Sequence, residues 1–266
     1  MDTVDANRAL KAVIFDVDGT LADTERHGHR PAYNQAFSDL GADWSWSDSE
    51  YGELLRVEGG HERLHHYLDF YQPDFEPDQG TDRFVDTAYA RKNEHYHQRV
   101  RAGDVPLRTG IRRLIAELRA DGLRLAIASS SQRANVMALL RHTLDADAET
   151  WFETIVTGSE SARKKPSGEI YHRVLERLEL PPTACIAIED SENGCRAAQA
   201  MGIPTIVTTS AYTGHHDFAG AVTVADSLGE PGHPWKILAG FHPGTEYLDG
   251  PTLARIHAHA LGAHGA

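Results

Sequence analysis

Two aspartates, Asp16 and Asp18, stand at alternate positions directly after the short apolar run of residues 12–15. The run predicts a buried strand, and side chains two positions apart in an extended chain lie on the same side. Two carboxylates held so close repel each other unless a cation lies between them, and a hard cation such as Mg²⁺ suits oxygen ligands. An aspartate-rich turn that caps a helix is the alternative interpretation of this short motif alone.

Three further groups of polar residues follow predicted strands or precede predicted helices. Ser129, Ser130 and Ser131 follow the apolar stretch LRLAIA, where hydroxyl and backbone N–H groups at a helix start favour an anion. Lys165 precedes a helix and could neutralise a phosphoryl group, while Glu189 and Asp190 end the stretch CIAIED. Helix capping also explains the serines and the acidic pair, and a solvated basic turn also explains the lysine.

The pattern around these residues predicts a sheet domain interrupted by a helical segment. Residues 24–100 have helical apolar spacing, whereas strands and helices alternate from about residue 106, which indicates an α/β fold with a doubly wound parallel sheet. Parallel strands place their sites at their carboxyl ends, so the polar residues should lie together. The predicted helices cover 110–121, 132–142, 167–179 and 191–201, and the predicted strands cover 123–128, 154–157, 184–188 and 204–208.

Composition narrows the class of partner. The 266 residues include 26 Lys and Arg against 39 Asp and Glu, a net charge of −13. Nucleic acid and anionic membranes both need a basic surface, so neither is an expected partner. No apolar run approaches the roughly 18 residues of a membrane span, and no signal-peptide pattern occurs, which predicts a cytoplasmic protein. The two cysteines, Cys185 and Cys195, are expected to pack in the core.

In order, DVDGT, the serines after a strand, KP, and ED after a strand resemble the four motifs of the haloacid dehalogenase superfamily of phosphotransferases. The resemblance extends over roughly residues 10–228. It implies a core of residues 1–23 and 106–228, with a helical cap of residues 24–105 inserted after the first motif. Residues 229–266 would form a C-terminal extension that either packs on the core or is partly mobile.

Within that superfamily, the cap is similar to the CbbY group of sugar-bisphosphate phosphatases associated with Rubisco. The segments TERHGHR, LGADWSW, EYGELLRVEGGHERL and AYTGHHDFAGA carry this similarity. His61 departs from the group, which usually has lysine there, and histidine is shorter and only partly charged near neutrality. The resemblance implies substrate contacts from Glu25, His29, Gly59, Gly60, His61, Glu62, Arg63 and Ser130.

The resemblance also implies a division of catalytic roles. Asp16 would be the nucleophile that forms an aspartyl-phosphate, and Asp18 would protonate the leaving oxygen and then activate water. Ser129 and Lys165 would hold the phosphoryl oxygens. The implied Mg²⁺ site consists of Asp16, Asp18 (through its backbone carbonyl), Asp190 and Glu189, the last orienting the site.

Three functions are compatible with these motifs. The first is a Mg²⁺-dependent phosphatase acting on a small sugar bisphosphate, with xylulose 1,5-bisphosphate as the leading candidate. The second is a mutase like β-phosphoglucomutase or a broad sugar-monophosphate phosphatase. The third is a non-enzymatic domain, against which four intact motifs argue. A dehalogenase is not expected, because its chemistry does not use Asp18 or a metal. The sequence does not predict the oligomeric state.

Overall fold

A seven-stranded sheet lies at the centre of residues 9–263, which this computed structural model describes. Its strands are β1 (Ala12–Phe15), β2 (Arg124–Ala128), β3 (Thr154–Val156), β4 (Cys185–Glu189), β5 (Thr205–Thr208), β6 (Thr223–Ala225) and β7 (Ile237–Gly240). The strand order is β3-β2-β1-β4-β5-β6-β7, parallel except for the antiparallel β6–β7 pair. The predicted fold class is confirmed. The outer ends of the predicted domains, residues 1–8 and 264–266, lie outside the described residues.

The central strands bring the predicted motifs to one edge of the sheet. Every residue of β1 and β4 is buried, as a parallel sheet covered on both faces requires. β1 lies between β2 and β4, with Ile14 opposite Ala126 on one side and Ala187 on the other. The carboxyl ends of these three strands are therefore neighbours, and so are the polar residues that follow them.

Four helices between β1 and β2 form the cap. They are α1 (Arg30–Asp39), α2 (Asp48–Leu54), α3 (Gly60–Tyr71) and α4 (Thr81–Ala102). Their common core is rich in aromatic rings, and the buried Trp46 ring lies 4.6 Å from that of Tyr33. Two adjacent chain segments connect the cap to the core, where Ala22 pairs with Leu107 in an isolated bridge. No strand forms in the cap as described, in agreement with the sequence pattern.

Five helices pack on the sheet. They are α5 (Ile111–Ala120), α6 (Arg133–Leu139), α7 (Glu169–Leu178), α8 (Glu192–Ala200) and α9 (Gly250–Ala263). The first four correspond to predicted helices, although the predicted helix 132–142 continues beyond α6 as a π-type turn over Leu140–Leu144. Among residues 9–263, no helix is long and apolar enough to cross a bilayer.

The C-terminal segment adds a strand and a helix that the sequence patterns do not predict. β7 pairs with β6 and covers the sheet edge that β6 would otherwise expose. In α9, Leu253 and Ile256 are fully buried in the main core cluster. Residues 229–263 therefore pack on the core, which is one of the two alternatives that the sequence left open for the C-terminal extension. The strand pattern is weak because β6 has three residues and β7 is mostly exposed. The domain limits themselves stay predictions.

Replacing Ile256 by alanine should lower the free energy of unfolding by about 2–5 kcal/mol, because the substitution leaves a cavity where α9 meets the core. Urea unfolding followed by circular dichroism measures the change. The matched control is Arg255→Ala, which truncates an exposed side chain one position away and should stay within about 0.5 kcal/mol of wild type. Equal, small effects of both variants would contradict the observed packing of α9.

Candidate active site

The carboxyl ends of β1 and β4 hold three buried carboxylates beside one buried lysine. Asp16, Glu189 and Asp190 each offer an oxygen within 4.8 Å of the others. Lys165, which precedes α7, donates from Nζ to Asp16 Oδ1 at 2.7 Å and to Glu189 Oε1 at 2.6 Å. Residues predicted from three distant segments of the chain therefore form one cluster. An unpaired charge at this depth would be strongly destabilising, so the lysine and the carboxylates depend on each other.

The cluster has too little positive charge for its carboxylates. Burial raises the pKa of Asp16, and although Lys165 opposes the rise, Glu189 and Asp18 add to it. Burial also raises the pKa of Asp190 well above its usual range, with further increases from Asp16 and Glu189. Burial alone would lower the pKa of Lys165, but the adjacent carboxylates outweigh it and raise the pKa. One ammonium group thus faces three carboxylates that repel one another.

The donor set fits a small hard cation. Carboxylate oxygens are the ligands that such ions prefer. Glu189 Oε2 is buried and has no hydrogen-bond partner among the described residues, so an acceptor remains available. Gly19 makes room for the acidic pair: its φ is +87°, and a Cβ there would collide with the Asp190 carboxylate. These observations support a metal site formed by Asp16, Glu189 and Asp190.

The carboxylate of Asp18 lies outside this metal cluster and is held by three hydrogen bonds. Thr24 Oγ1 donates to Asp18 Oδ1 at 2.7 Å, and His29 Nε2 lies 3.1 Å from the same oxygen. Ser131 Oγ donates to Oδ2 at 2.5 Å. Burial raises the pKa of Asp18, but the bonds from His29, Ser131 and Thr24 outweigh burial and hold the pKa well below its usual range. His29 is itself fixed by stacking on Tyr96, with 4.2 Å between ring centroids.

A cavity of about 530 Å³ separates these residues from the cap. Ser130 and Ser131 line it, whereas Ser129 is fully buried and accepts a hydrogen bond from the Ser131 N–H group at 3.1 Å. The role of Ser129 as a phosphoryl ligand stays a prediction. Ser131 belongs to the predicted anion-binding run, but the sequence analysis gave it no contact with Asp18.

The cap begins with a π-type turn over Glu25–His29, a distortion that often occurs at functional sites. Glu25 lines the cavity and accepts a hydrogen bond from the Tyr51 hydroxyl at 2.5 Å. Arg63 also lines the cavity but is largely buried. Its guanidinium donates to two backbone carbonyls near the end of α2, at 3.1 and 3.2 Å, and to the Tyr51 hydroxyl at 3.3 Å. Since a guanidinium has five N–H groups, two remain for a ligand.

The glycine loop at the start of α3 lines the cavity, and its contact with substrate stays a prediction. Gly59 has a φ of +94°, and a Cβ on Gly60 would collide with the Tyr89 ring, so both positions depend on glycine. His61 stacks on Tyr89 with 4.1 Å between centroids, and its Nε2 lies 3.2 Å from Asp86 Oδ1. His61 therefore lies at the cavity wall with an acidic partner on α4.

Lys92 of α4 is the most informative cavity residue that the sequence analysis missed. Its side chain is buried, yet no carboxylate of the described residues pairs with it. Instead Nζ lies over three aromatic rings, 5.0 Å from the Tyr33 centroid, 5.5 Å from Tyr89 and 5.6 Å from Tyr96. Burial lowers the pKa of Lys92 to about 8. The sequence feature that could have identified Lys92 is its position one helical turn from Tyr96, on the apolar face of α4.

Polar contacts join the cap to the core at the mouth of the cavity. Glu62 pairs with Lys164, the residue before the cluster lysine. Glu58 accepts a hydrogen bond from Asn193 Nδ2 at 2.9 Å. These contacts join the cap to the core at the cavity mouth, and the ion pair with Lys164 offsets the charge of Glu62.

Comparison with known proteins tests the resemblance seen in the sequence. Residues 10–202 match the family of haloacid dehalogenase-like hydrolases. The plasmid-encoded protein CbbY of Cupriavidus necator is 47% identical over 225 residues, which cover 85% of this chain and 88% of that protein. The β-phosphoglucomutase of Bacillus subtilis is 29% identical over 195 residues, covering 73% of this chain and 81% of that protein.

Two crystal structures of CbbY from Rhodobacter sphaeroides resemble this fold, one in complex with phosphate and one of a mutant in complex with xylulose 1,5-bisphosphate. Each has a TM-score of 0.74 and 40% sequence identity, and covers 82% of this chain and 94% of its own. The predicted similarity to the superfamily and to the CbbY group is thereby confirmed. The chain belongs to the haloacid dehalogenase-like hydrolases, and it is a phosphoric monoester hydrolase similar to the CbbY proteins.

Proposed function

We propose that this enzyme is a Mg²⁺-dependent phosphatase that hydrolyses a sugar bisphosphate, with xylulose 1,5-bisphosphate as the leading substrate. One observation carries the proposal: a carboxylate cluster with a lysine faces a cap that contributes Arg63 and Lys92 to the same cavity. The two ends of the cavity can therefore each attract a phosphate. The complex of the Rhodobacter sphaeroides relative with xylulose 1,5-bisphosphate supports the choice of sugar.

Asp16 is the proposed nucleophile. Its Oδ1 is bound to Lys165, and no described residue hydrogen-bonds to Oδ2, which leaves that oxygen for attack on phosphorus. Attack forms the aspartyl-phosphate as the sugar oxygen departs, and water then attacks the phosphorus and releases phosphate. Mg²⁺ bound by Asp16, Glu189 and Asp190 would supply charge neutralisation of the phosphoryl oxygens. Lys165 would bind one of these oxygens while keeping Asp16 in place.

Asp18 is the proposed acid and base. In the free site its three hydrogen bonds favour the carboxylate, which is the form that takes a proton from water. A phosphate dianion beside it raises the pKa of the Asp18 carboxyl, because like charges disfavour ionisation. The proton thus gained can pass to the departing sugar oxygen. His29, Thr24 and Ser131 orient the carboxylate throughout.

The second phosphate would bind beneath the cap. Arg63 has two N–H groups left for a bidentate contact, and Lys92 is a buried cation without a carboxylate partner. Backbone N–H groups at Gly59 and Gly60 are accessible because neither residue has a side chain. Glu25 lines the same cavity and would accept hydrogen bonds from sugar hydroxyls. A short monophosphate leaves the cap cations without a partner, so it should be a poorer substrate.

A mutase is the second candidate, because β-phosphoglucomutase shares similarity over most of the chain. Phosphate release separates the two functions, since a mutase returns the phosphoryl group to the sugar. The deciding experiment measures phosphate release from a panel of sugar mono- and bisphosphates with Mg²⁺, with Asp16→Asn as the inactive control. Release from xylulose 1,5-bisphosphate above all others supports the proposal. Isomerisation of β-glucose 1-phosphate without phosphate release would replace it with the mutase.

Removal of Mg²⁺ by a chelator should lower turnover on the order of 10³-fold or more, and added Mg²⁺ should restore it. The cavity lining carries seven acidic side chains against five lysines and arginines, so an anionic substrate needs added positive charge. Asp190→Asn should raise the Mg²⁺ concentration for half-maximal activity about tenfold or more. Glu192→Gln, at a lining carboxylate outside the cluster, is the control and should leave that concentration unchanged. Full activity after exhaustive chelation would rule out the metal requirement.

Asp18→Asn should lower turnover of a sugar phosphate by about 10²–10⁴-fold, because the amide cannot transfer the proton. The loss should be much smaller with p-nitrophenyl phosphate, whose leaving group needs little protonation. Steady-state rates on both substrates measure the difference. Asp16→Asn, which removes the nucleophile, is the comparison and should abolish turnover of both. Equal losses for Asp18→Asn on the two substrates would argue against the acid–base role.

Arg63→Ala should reduce kcat/KM for the bisphosphate by about tenfold or more beyond its effect on a short monophosphate, because it removes a charge-assisted phosphate contact. Arg63 also holds the end of α2, so thermal unfolding must be measured alongside, and Arg63→Lys restores charge without the two-pronged contact. His61→Lys should keep or improve bisphosphate turnover, because a lysine is longer and carries a full positive charge near neutral pH. If Arg63→Ala reduced kcat/KM equally for every substrate, the bisphosphate proposal would fail and a general phosphatase would replace it.

A further inference from the structure

A second cavity, of about 440 Å³, lies on the seam between the cap and the core, outside the active site. Arg26, Glu53 and Arg56 reach it from the cap, and Ala211 and His215 reach it from the loop after β5. Its volume is in the range of small-molecule pockets. Tyr212 and Arg56 line both cavities, so the second cavity lies directly behind the wall of the first.

Two arginines and two carboxylates line the seam cavity, and one of the carboxylates is paired with an arginine outside the lining. The side chains of Arg26 and Arg56 are exposed and have no carboxylate or backbone-carbonyl partner among residues 9–263, which is also true of Arg83 and Arg101 of α4, outside the cavity. Asp48 is already engaged, since its Oδ1 lies 3.0 Å from Arg30 Nε and accepts from the Tyr212 hydroxyl at 2.8 Å. Glu53 is the one remaining carboxylate of the lining.

We propose that the seam cavity binds a small organic phosphate through Arg26, Arg56 and His215. Guanidinium groups match phosphate oxygens in geometry, and a dianion matches two of them in charge. The cavity is larger than a lone phosphate needs, and Tyr212 and Ala211 offer apolar surface to an organic group. A ligand there contacts the cap and the core at once, so binding stabilises the closed arrangement of the two. The proposal does not depend on the substrate of the active site.

Equilibrium dialysis of the full-length protein in Mg²⁺ against radiolabelled inorganic phosphate tests the site by counting bound anions. Wild type should bind one more equivalent of phosphate than Arg26→Gln, because Arg26 lines only the seam cavity. Glu53→Gln should tighten that extra equivalent several-fold, because it removes the carboxylate that opposes the anion. Arg83→Gln, at an exposed arginine of α4 outside both cavities, should match wild type.

The comparison isolates the seam cavity because the active site contributes equally to wild type and to Arg26→Gln, whatever its substrate. Equal stoichiometry in these two proteins overturns the proposal, and so does a Glu53→Gln variant that binds no more tightly. Phenylphosphonate, whose carbon–phosphorus bond is not hydrolysed, tests whether the site accepts an organic phosphate. It should displace the radiolabelled phosphate bound in the seam cavity at least as well as unlabelled inorganic phosphate does. Weaker competition would overturn the organic class and leave a site for free phosphate.

Discussion

The ion pairs of Lys165 with Asp16 and Glu189 are the interaction on which the rest of the site depends. All three groups are buried, and removing one partner of a buried pair typically costs about 3–5 kcal/mol because the other charge is left unpaired. The parallel register of β1 and β4 keeps the carboxylates close enough to need the lysine, and Gly19 and Gly194 leave the space that their side chains occupy. Since one ammonium does not balance three carboxylates, the same constraint that organises the core also makes the cluster suited to a metal ion.

The cap meets a different physical requirement in the proposed function. Its cations must face the substrate without being neutralised by carboxylates of the protein. Arg63 donates to carbonyl and hydroxyl oxygens and so remains a cation for a ligand. Lys92 lies over aromatic faces, which stabilise an ammonium group while leaving its charge available. In the proposed function the core carboxylate cluster serves phosphatases and mutases alike, and the cap residues are the proposed source of selectivity between substrates. This separation of roles explains why the fold alone names no substrate.

The sequence predicts the core of the site because the information there is local. Asp16, Asp18 and the acidic pair at 189–190 end apolar strands, and the parallel-sheet rule brings strand ends together without any knowledge of side-chain packing. Lys92 and the Ser131 contact are not predicted because they depend on distant parts of the chain: Ser131 donates to Asp18, 113 residues earlier, and Lys92 lies over the ring of Tyr33 in α1. Short strands such as β6 are not predicted for another reason, since three residues are too few to show the alternating pattern of a strand. The hydrogen bonds of Arg63 to its own cap could likewise be known only from the folded chain.

The net charge of −13 and the affinity for anions proposed here are compatible because they act over different distances. At physiological ionic strength exposed charges are screened beyond about 8 Å, whereas buried pairs are screened much less. The surface carboxylates therefore have little influence at the cluster lysine or at Lys92, where the surroundings are protein. An extended polyanion needs many exposed cations at once, which a net charge of −13 does not favour. A small phosphate needs only the few cations that line one cavity, and the cap and the core together provide them.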